Sequence, residues 1–248
     1  MRTSSLRRFL LSCCPPPHYM FGRRTGDSTS SHGGYFSIET YYRLLVEIIN
    51  INSNEYCGHA VIELGAGPGY FSFAAAVITG REVLAIEESL PRYKFLNDWV
   101  KKIRNELKAT FGFGDDFIKV CHGNYLLDTV QRLNELMEQE KVFIYVNNYK
   151  GCLLNDDKHT QHNLEHKLSS CQNGSVVLSL DSMFTTEEHA YWWEEIIPIK
   201  YTRNDVPMLN RVKGNGNQIL DDINWYVYTK RSVKCFKGRT RPRLCVRN

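Results

Sequence analysis

Paired cysteines, long apolar runs and acids at either end are what this 248-residue chain lacks. Its eight cysteines stand at 13, 14, 57, 121, 152, 171, 235 and 245, with no C-x-x-C pair. That scatter supplies neither a zinc framework nor a small disulfide scaffold, and it points to a reducing compartment. The longest nearly apolar stretch, Phe71 to Thr79, is half of the roughly 18 residues a spanning helix requires, which argues against a membrane-spanning helix. Residues 1–26 hold five arginines and residues 230–248 eight Lys/Arg, with no Asp or Glu in either segment. The body, 27–229, is left with 18 basic and 27 acidic residues, a net of −9. An acidic body between two basic ends suggests tails for a polyanion, a membrane surface or an import receptor. The apolar share of 42% and charged share of 23% are ordinary, which excludes disorder, collagen-like repeats and a coiled coil.

Three segments follow: a basic tail over 1–33, one folded domain over 34–230, and a basic tail over 231–248. Pro15, Pro16 and Pro17 and the Ser/Gly clusters break any period in the first. Its arginine-rich, acid-free start also fits a mitochondrial presequence. Within the domain, Leu44, Leu45, Ile48 and Ile49 share one helical face. Short apolar strands are expected at 59–64, 82–86, 117–121, 142–146, 175–180 and 223–229. Helices are expected after Gly69, from Pro91, over 126–139, over 156–169 and near 187–197. Strands alternating with helices mean a mostly parallel sheet, helices on both faces and a ligand at the carboxyl ends of the strands. The expected class is α/β.

Glu63-Leu64-Gly65-Ala66-Gly67-Pro68-Gly69 follows the first strand and opens a helix. Glycines permit a sharp turn and close approach, and amides at the helix start attract negative charge. Glu87, after the second strand, is placed to accept bonds from both ribose hydroxyls. Together these favour a nucleoside-containing cofactor, although the G-x-G-x-G spacing departs from the dinucleotide pattern. Asn124-Tyr125, after the third strand, suits an adenine edge and face. Asn147-Asn148-Tyr149, after the fourth, is read either as a helix cap or as a polar clamp for an amine nucleophile.

This combination resembles the class I S-adenosylmethionine-dependent methyltransferases, with a Rossmann-like sheet whose final strand is antiparallel. The loop V-I-E-L-G-A-G-P-G-Y-F-S is similar to that of ribosomal RNA adenine dimethyltransferases, but no proline follows Asn148 as it does there. Val146-Asn147-Asn148-Tyr149 instead resembles the V-N-N-aromatic motif of the disruptor-of-telomeric-silencing family, non-SET methyltransferases of a lysine in the folded core of histone H3. Glu39-Thr40 is similar to the Glu-Thr of that family's cofactor loop, preceded here by Ser37-Ile38 in place of Tyr-Gly. Gly123-Asn124-Tyr125 resembles its G-D-F, Asn173-Gly174 its G-G-x-I-V, and Asn224-Trp225-Tyr226 its S-Y-Y.

The resemblance implies S-adenosyl-L-methionine held by Ser37, Glu39, Thr40, Glu63, Gly65, Ala66, Gly67, Gly69, Glu87, Asn124, Tyr125 and Asn147. It implies catalysis by in-line transfer to a neutral lysine amine, with Asn147 orienting the nitrogen and Tyr149 and Trp225 walling its channel. A nuclear, monomeric enzyme acting on nucleosomes follows, its basic tails resting on nucleic acid. The alternative is an RNA adenine N-methyltransferase, possible in a mitochondrion. Trp225 has a second reading as core. His159, His162 and His166 share a helical face that reads as solvated, and no metal site is expected.

Overall fold

The computed structural model describes residues 38–51, 56–112, 114–127, 130–148, 158–180, 182–184, 186–201 and 223–231. Ser37, Tyr149, the first tail and all but Arg231 of the second lie outside the described residues.

The described residues begin with α1 (Ile38–Ile51), whose Ile38, Tyr41, Leu44, Leu45 and Ile48 are buried as the periodicity requires. The alternation then runs β1 (Ala60–Leu64), α2 (Tyr70–Thr79), β2 (Val83–Glu87), α3 (Leu90–Phe111), β3 (Ile118–His122), α4 (Gln131–Gln139), β4 (Val142–Val146), α5 (Lys158–Leu168) and β5 (Val176–Ser179). It ends with α6 (Glu187–Trp192), β6 (Trp193–Tyr201) and β7 (Ile223–Lys230). The seven strands lie in the order β3-β2-β1-β4-β5-β7-β6. β1 to β5 are mutually parallel, whereas β7 runs antiparallel to both β5 and β6.

The central strands are covered on both faces, which is why they read as unbroken apolar runs. Alternate residues divide the core in two. Val61, Val83, Ala85, Phe143, Tyr145, Val176, Leu178 and Trp225 face α1, α2 and α3, and meet Leu44, Phe71, Ala74, Leu96 and Val100 there. Ile62, Leu84, Ile144 and Val177 face the opposite side and meet Leu133, Leu136 and Leu164 of α4 and α5. Because β1 to β5 are parallel, Gly65, Glu87, Gly123, Asn147 and Leu180 all emerge at one edge of the sheet.

Two expected elements change. The helix near 187–197 stops at Trp192, and Trp193–Tyr201 is an edge strand paired with β7. The run Ile196-Ile197-Pro198-Ile199 explains this: β-branched residues favour a strand, and proline is tolerated on a sheet edge but not inside a helix. The helix expected from Leu126 begins at Gln131. The Asn124 side chain accepts the Leu126 amide (2.8 Å), fixing a turn in place of the first helical turn.

Candidate functional site

The glycine loop is built by the two strands that flank it. Gly65 and Ala66 donate their amides to the Ile86 carbonyl at 2.9 and 2.8 Å, tying the end of β1 to β2. Gly69 then donates to the Ala66 carbonyl at 2.7 Å and leads into α2. Gly65, Gly67 and Gly69 have φ values of 73°, 51° and 73°, a region that other residues enter only with strain. A Cβ at Gly69 would stand 2.6 Å from Leu96 Cδ1, so this end of the loop lies against α3. A Cβ at Gly65 would meet nothing within 4 Å, so this end faces open space.

Glu63 and Glu87 hold the loop from either side. Glu63 Oε2 accepts from the Ser72 amide (2.9 Å) and hydroxyl (2.5 Å), placing the carboxyl at the start of α2. Glu87 Oε2 accepts from the Gly67 amide (2.7 Å) and its Oε1 from the Ser89 amide (2.9 Å). Burial pushes the Glu63 carboxyl up to about 8; the two Ser72 bonds oppose the rise, and the nearby Glu87 charge adds to it. The Glu63 carboxyl at the start of α2 is therefore protonated near neutral pH, and the negative charge beside the loop is that of Glu87, which accepts the Gly67 amide. A diphosphate would find the Gly67 and Ser72 amides already taken and the Glu87 charge opposed to it, whereas a cationic sulfonium is compatible with that charge.

Each Glu87 oxygen accepts one protein amide in this arrangement and keeps capacity for one more donor, as a ribose hydroxyl pair requires. Asn124 follows β3 at the same edge. Its Nδ2 donates to Glu88 Oε1 (2.9 Å) while its Oδ1 holds the Leu126 amide, so the amide expected to read adenine is bonded locally. Tyr125 beside it is half-buried against the α4 side of the core. Glu39 and the buried Thr40 lie in the first turn of α1.

The two amides after β4 separate in role. Asn148 is buried, and its Oδ1 accepts the Leu180 amide at 2.8 Å, joining the ends of β4 and β5. Asn148, expected as part of a helix cap or a polar clamp, thus serves as a bracket between two strand ends. Asn147 remains the strand-end amide of the site, half-buried, with its Oδ1 shielded from solvent. Trp225, expected beside an acceptor channel, is fully buried, with its ring centroid 6.2 Å from that of Tyr41 and 6.1 Å from that of Tyr145. A channel wall must present a face, and this indole presents none; its place is that of a core residue.

His162 and His166 of α5 are exposed. Among the described residues, no group of three or more His, Cys, Asp or Glu is placed to hold a metal ion. The sequence reading misses Ser72 and Tyr41. A hydroxyl two residues into an apolar helix was the only signal for the first, and none marked the second.

The residues present fit S-adenosyl-L-methionine on three counts: the open side of Gly65, the remaining acceptor capacity of Glu87, and amides already taken where a phosphate would need donors. No family model matches the sequence, and no protein of curated function matches it. Solved structures do resemble it. One is a Pyrococcus horikoshii protein assigned as an RNA methyltransferase, 15% identical, with a TM-score of 0.55 over 94% of this chain and 100% of that one. Others are the glycopeptide N-methyltransferase MtfA (12% identical, TM-score 0.49, 78% of this chain and 96% of that one) and the B. subtilis tRNA methyltransferase TrmK (13%, 0.45, 80% and 68%). The first match and the strand order show that the fold is that of class I methyltransferases.

Proposed function

We propose that this chain is an S-adenosyl-L-methionine-dependent N-methyltransferase of a macromolecular acceptor, with RNA ahead of histone. The observation that carries the transfer reading is the shared edge. The glycine loop, Glu87 and Asn147 emerge together from three neighbouring strands, β1, β2 and β4. The cofactor would lie across Gly65 with its ribose on Glu87, and would supply an electrophilic methyl group when bound. Asn147 then orients the acceptor nitrogen for in-line attack, its carbonyl accepting an N–H so that the lone pair points at the methyl carbon. The acceptor must arrive uncharged, as a base nitrogen already is.

The RNA reading draws support from the Pyrococcus horikoshii match, which spans the whole of that assigned RNA methyltransferase. The reading as a histone H3 lysine methyltransferase in the nucleus draws on a different observation, the sequence Val146-Asn147-Asn148-Tyr149. Burial of Trp225 weakens it, because one wall of the lysine channel is withdrawn into the core. Incubating the chain with methyl-labelled cofactor and either structured RNA or nucleosomes separates the two. Label on RNA supports the first reading, label on histone H3 supports the second, and label on neither with no cofactor heat in calorimetry overturns the transferase proposal.

A further inference from the structure

Helix α3 starts three residues after Glu87 and carries a charge opposite to that of the body. Residues 90–111 contain six basic side chains (Arg92, Lys94, Lys101, Lys102, Arg104, Lys108) and two acids (Asp98, Glu106), a net of +4, while 27–229 as a whole stands at −9. The inward side of the helix is Leu96, Val100, Ile103 and Leu107. Lys94, Lys101 and Lys102 are exposed on the outward side, near the exposed Asp98. Lys108 pairs with Asp115 at 3.1 Å. Among the described residues no ion pair engages Lys94, Lys101 or Lys102.

On the flank of the same face, the half-buried rings of Phe95 and Trp99 stack with centroids 6.4 Å apart and planes 4° apart. Lys102 Nζ lies 5.1 Å from the centre of the Trp99 ring. Lys94 and Lys101, seven residues apart, are separated by about 10 Å along the helix axis. Ammonium groups beside flat aromatic faces match single-stranded nucleic acid, whose phosphates take the cations and whose bases take the rings. Duplex DNA would use the cations alone. The placement is also directional: the contact of Gly69 with Leu96 sets the second turn of α3 against the glycine loop. A strand following α3 toward its N-terminus is led to the sheet edge where Asn147 stands.

We infer that the outward face of α3, formed by Lys94, Lys101 and Lys102 and flanked by the half-buried Phe95 and Trp99, docks single-stranded RNA on its way to the strand-end site. This rests on the RNA reading of that site, and the experiment keeps the two apart. Fluorescein-labelled unstructured RNA, and duplex DNA beside it, are titrated with the full chain and with K94E/K101E/K102E across a salt series, and label transfer to RNA and nucleosomes is measured in parallel. The variant should bind more than about tenfold more weakly, and its log–log salt slope should fall by about 2, near 0.7 for each phosphate that is no longer neutralised. RNA should also quench a tryptophan signal that Trp99→Phe removes. If the charge-reversed variant does not fold, K94Q/K101Q/K102Q serves in its place. Unchanged affinity and slope overturn the docking face, and if RNA is still methylated the proposed function stands without it. Loss of RNA binding in a chain that labels only nucleosomes keeps the docking face and overturns the RNA reading. A loss confined to duplex DNA overturns the docking of RNA.

Discussion

The hydroxyls of Tyr41 and Tyr145 lie 3.0 Å apart, both buried, and join α1 to the central strand β4. Tyr145 sits opposite Glu63 in the β1–β4 register and two residues before Asn147, while Tyr41 follows Glu39-Thr40. One bond therefore links the helix start expected at the cofactor to the strand that ends at Asn147. Their rings meet edge-on at 5.4 Å, with Phe71 stacked on Tyr145 at 4.4 Å, so the pair is fixed by packing as well.

Tyr41→Phe and Tyr145→Phe should each lower stability by about 1 kcal/mol, the usual net worth of a buried hydrogen bond. The double variant should lose less than the sum of the two, because the second substitution removes a bond already gone. Urea unfolding of all four proteins measures this, and strict additivity would show that the hydroxyls do not act as a pair. Both single variants should also bind S-adenosyl-L-methionine several-fold more weakly, if α1 helps to hold it.

The Glu63 carboxyl gives the fold a pH dependence of definite sign. Its pKa rises from 4.5 to about 8 on folding, mainly through burial. The native state therefore holds a proton that the unfolded chain releases. The stability this contributes is complete below about 4.5, declines as pH rises, and is gone above about 8. Glu63→Gln keeps an oxygen for Ser72 and removes the titration. Relative to the wild type, it should gain stability steadily between pH 5 and pH 8. Parallel stability curves for the two proteins over that window would rule out the assignment.

Two glycines of one loop should answer to alanine differently. Gly69→Ala meets Leu96 Cδ1 at 2.6 Å as well as the strain of φ 73°, so it should cost more stability than Gly65→Ala, which meets strain alone. The left-handed strain by itself is about 1–2 kcal/mol. Gly65→Ala, however, projects its methyl into the open side of the loop. Calorimetry should find its cofactor affinity reduced well beyond what that loss of stability explains, and unaltered affinity would place the cofactor elsewhere.

How much of this could be read beforehand depended on how local the signal was. The run Val142–Val146 marks a buried strand because every side chain in it is β-branched or aromatic, and all five are buried. The loop Gly65–Gly69 is legible because a tight turn between a strand and a helix leaves little choice but glycine. β6 was missed because acids beside Trp192-Trp193 imitate a helix surface, while the pairing with β7 that makes Trp193–Tyr201 a strand comes from 30 residues further on. The core position of Trp225 and the bond between Asn148 and Leu180 are likewise set by partners distant in the chain. A motif shows which side chains share a strand end, but not which of them the fold claims for itself.

The two strand-end amides offer the sharpest separation between structure and chemistry. Asn148→Ala leaves the Leu180 amide without its acceptor in a buried place and should cost about 1–3 kcal/mol. Asn147→Ala removes the amide proposed to orient the acceptor, so it should abolish turnover while thermal unfolding shifts little. Asn148→Asp retains an acceptor oxygen for Leu180 and should recover more stability than Asn148→Ala. Measured together, melting temperature and methyl transfer should therefore move independently in the two positions. If Asn147→Ala keeps wild-type turnover, the nitrogen is aligned by another group and the amide's place at the end of β4 is a structural one.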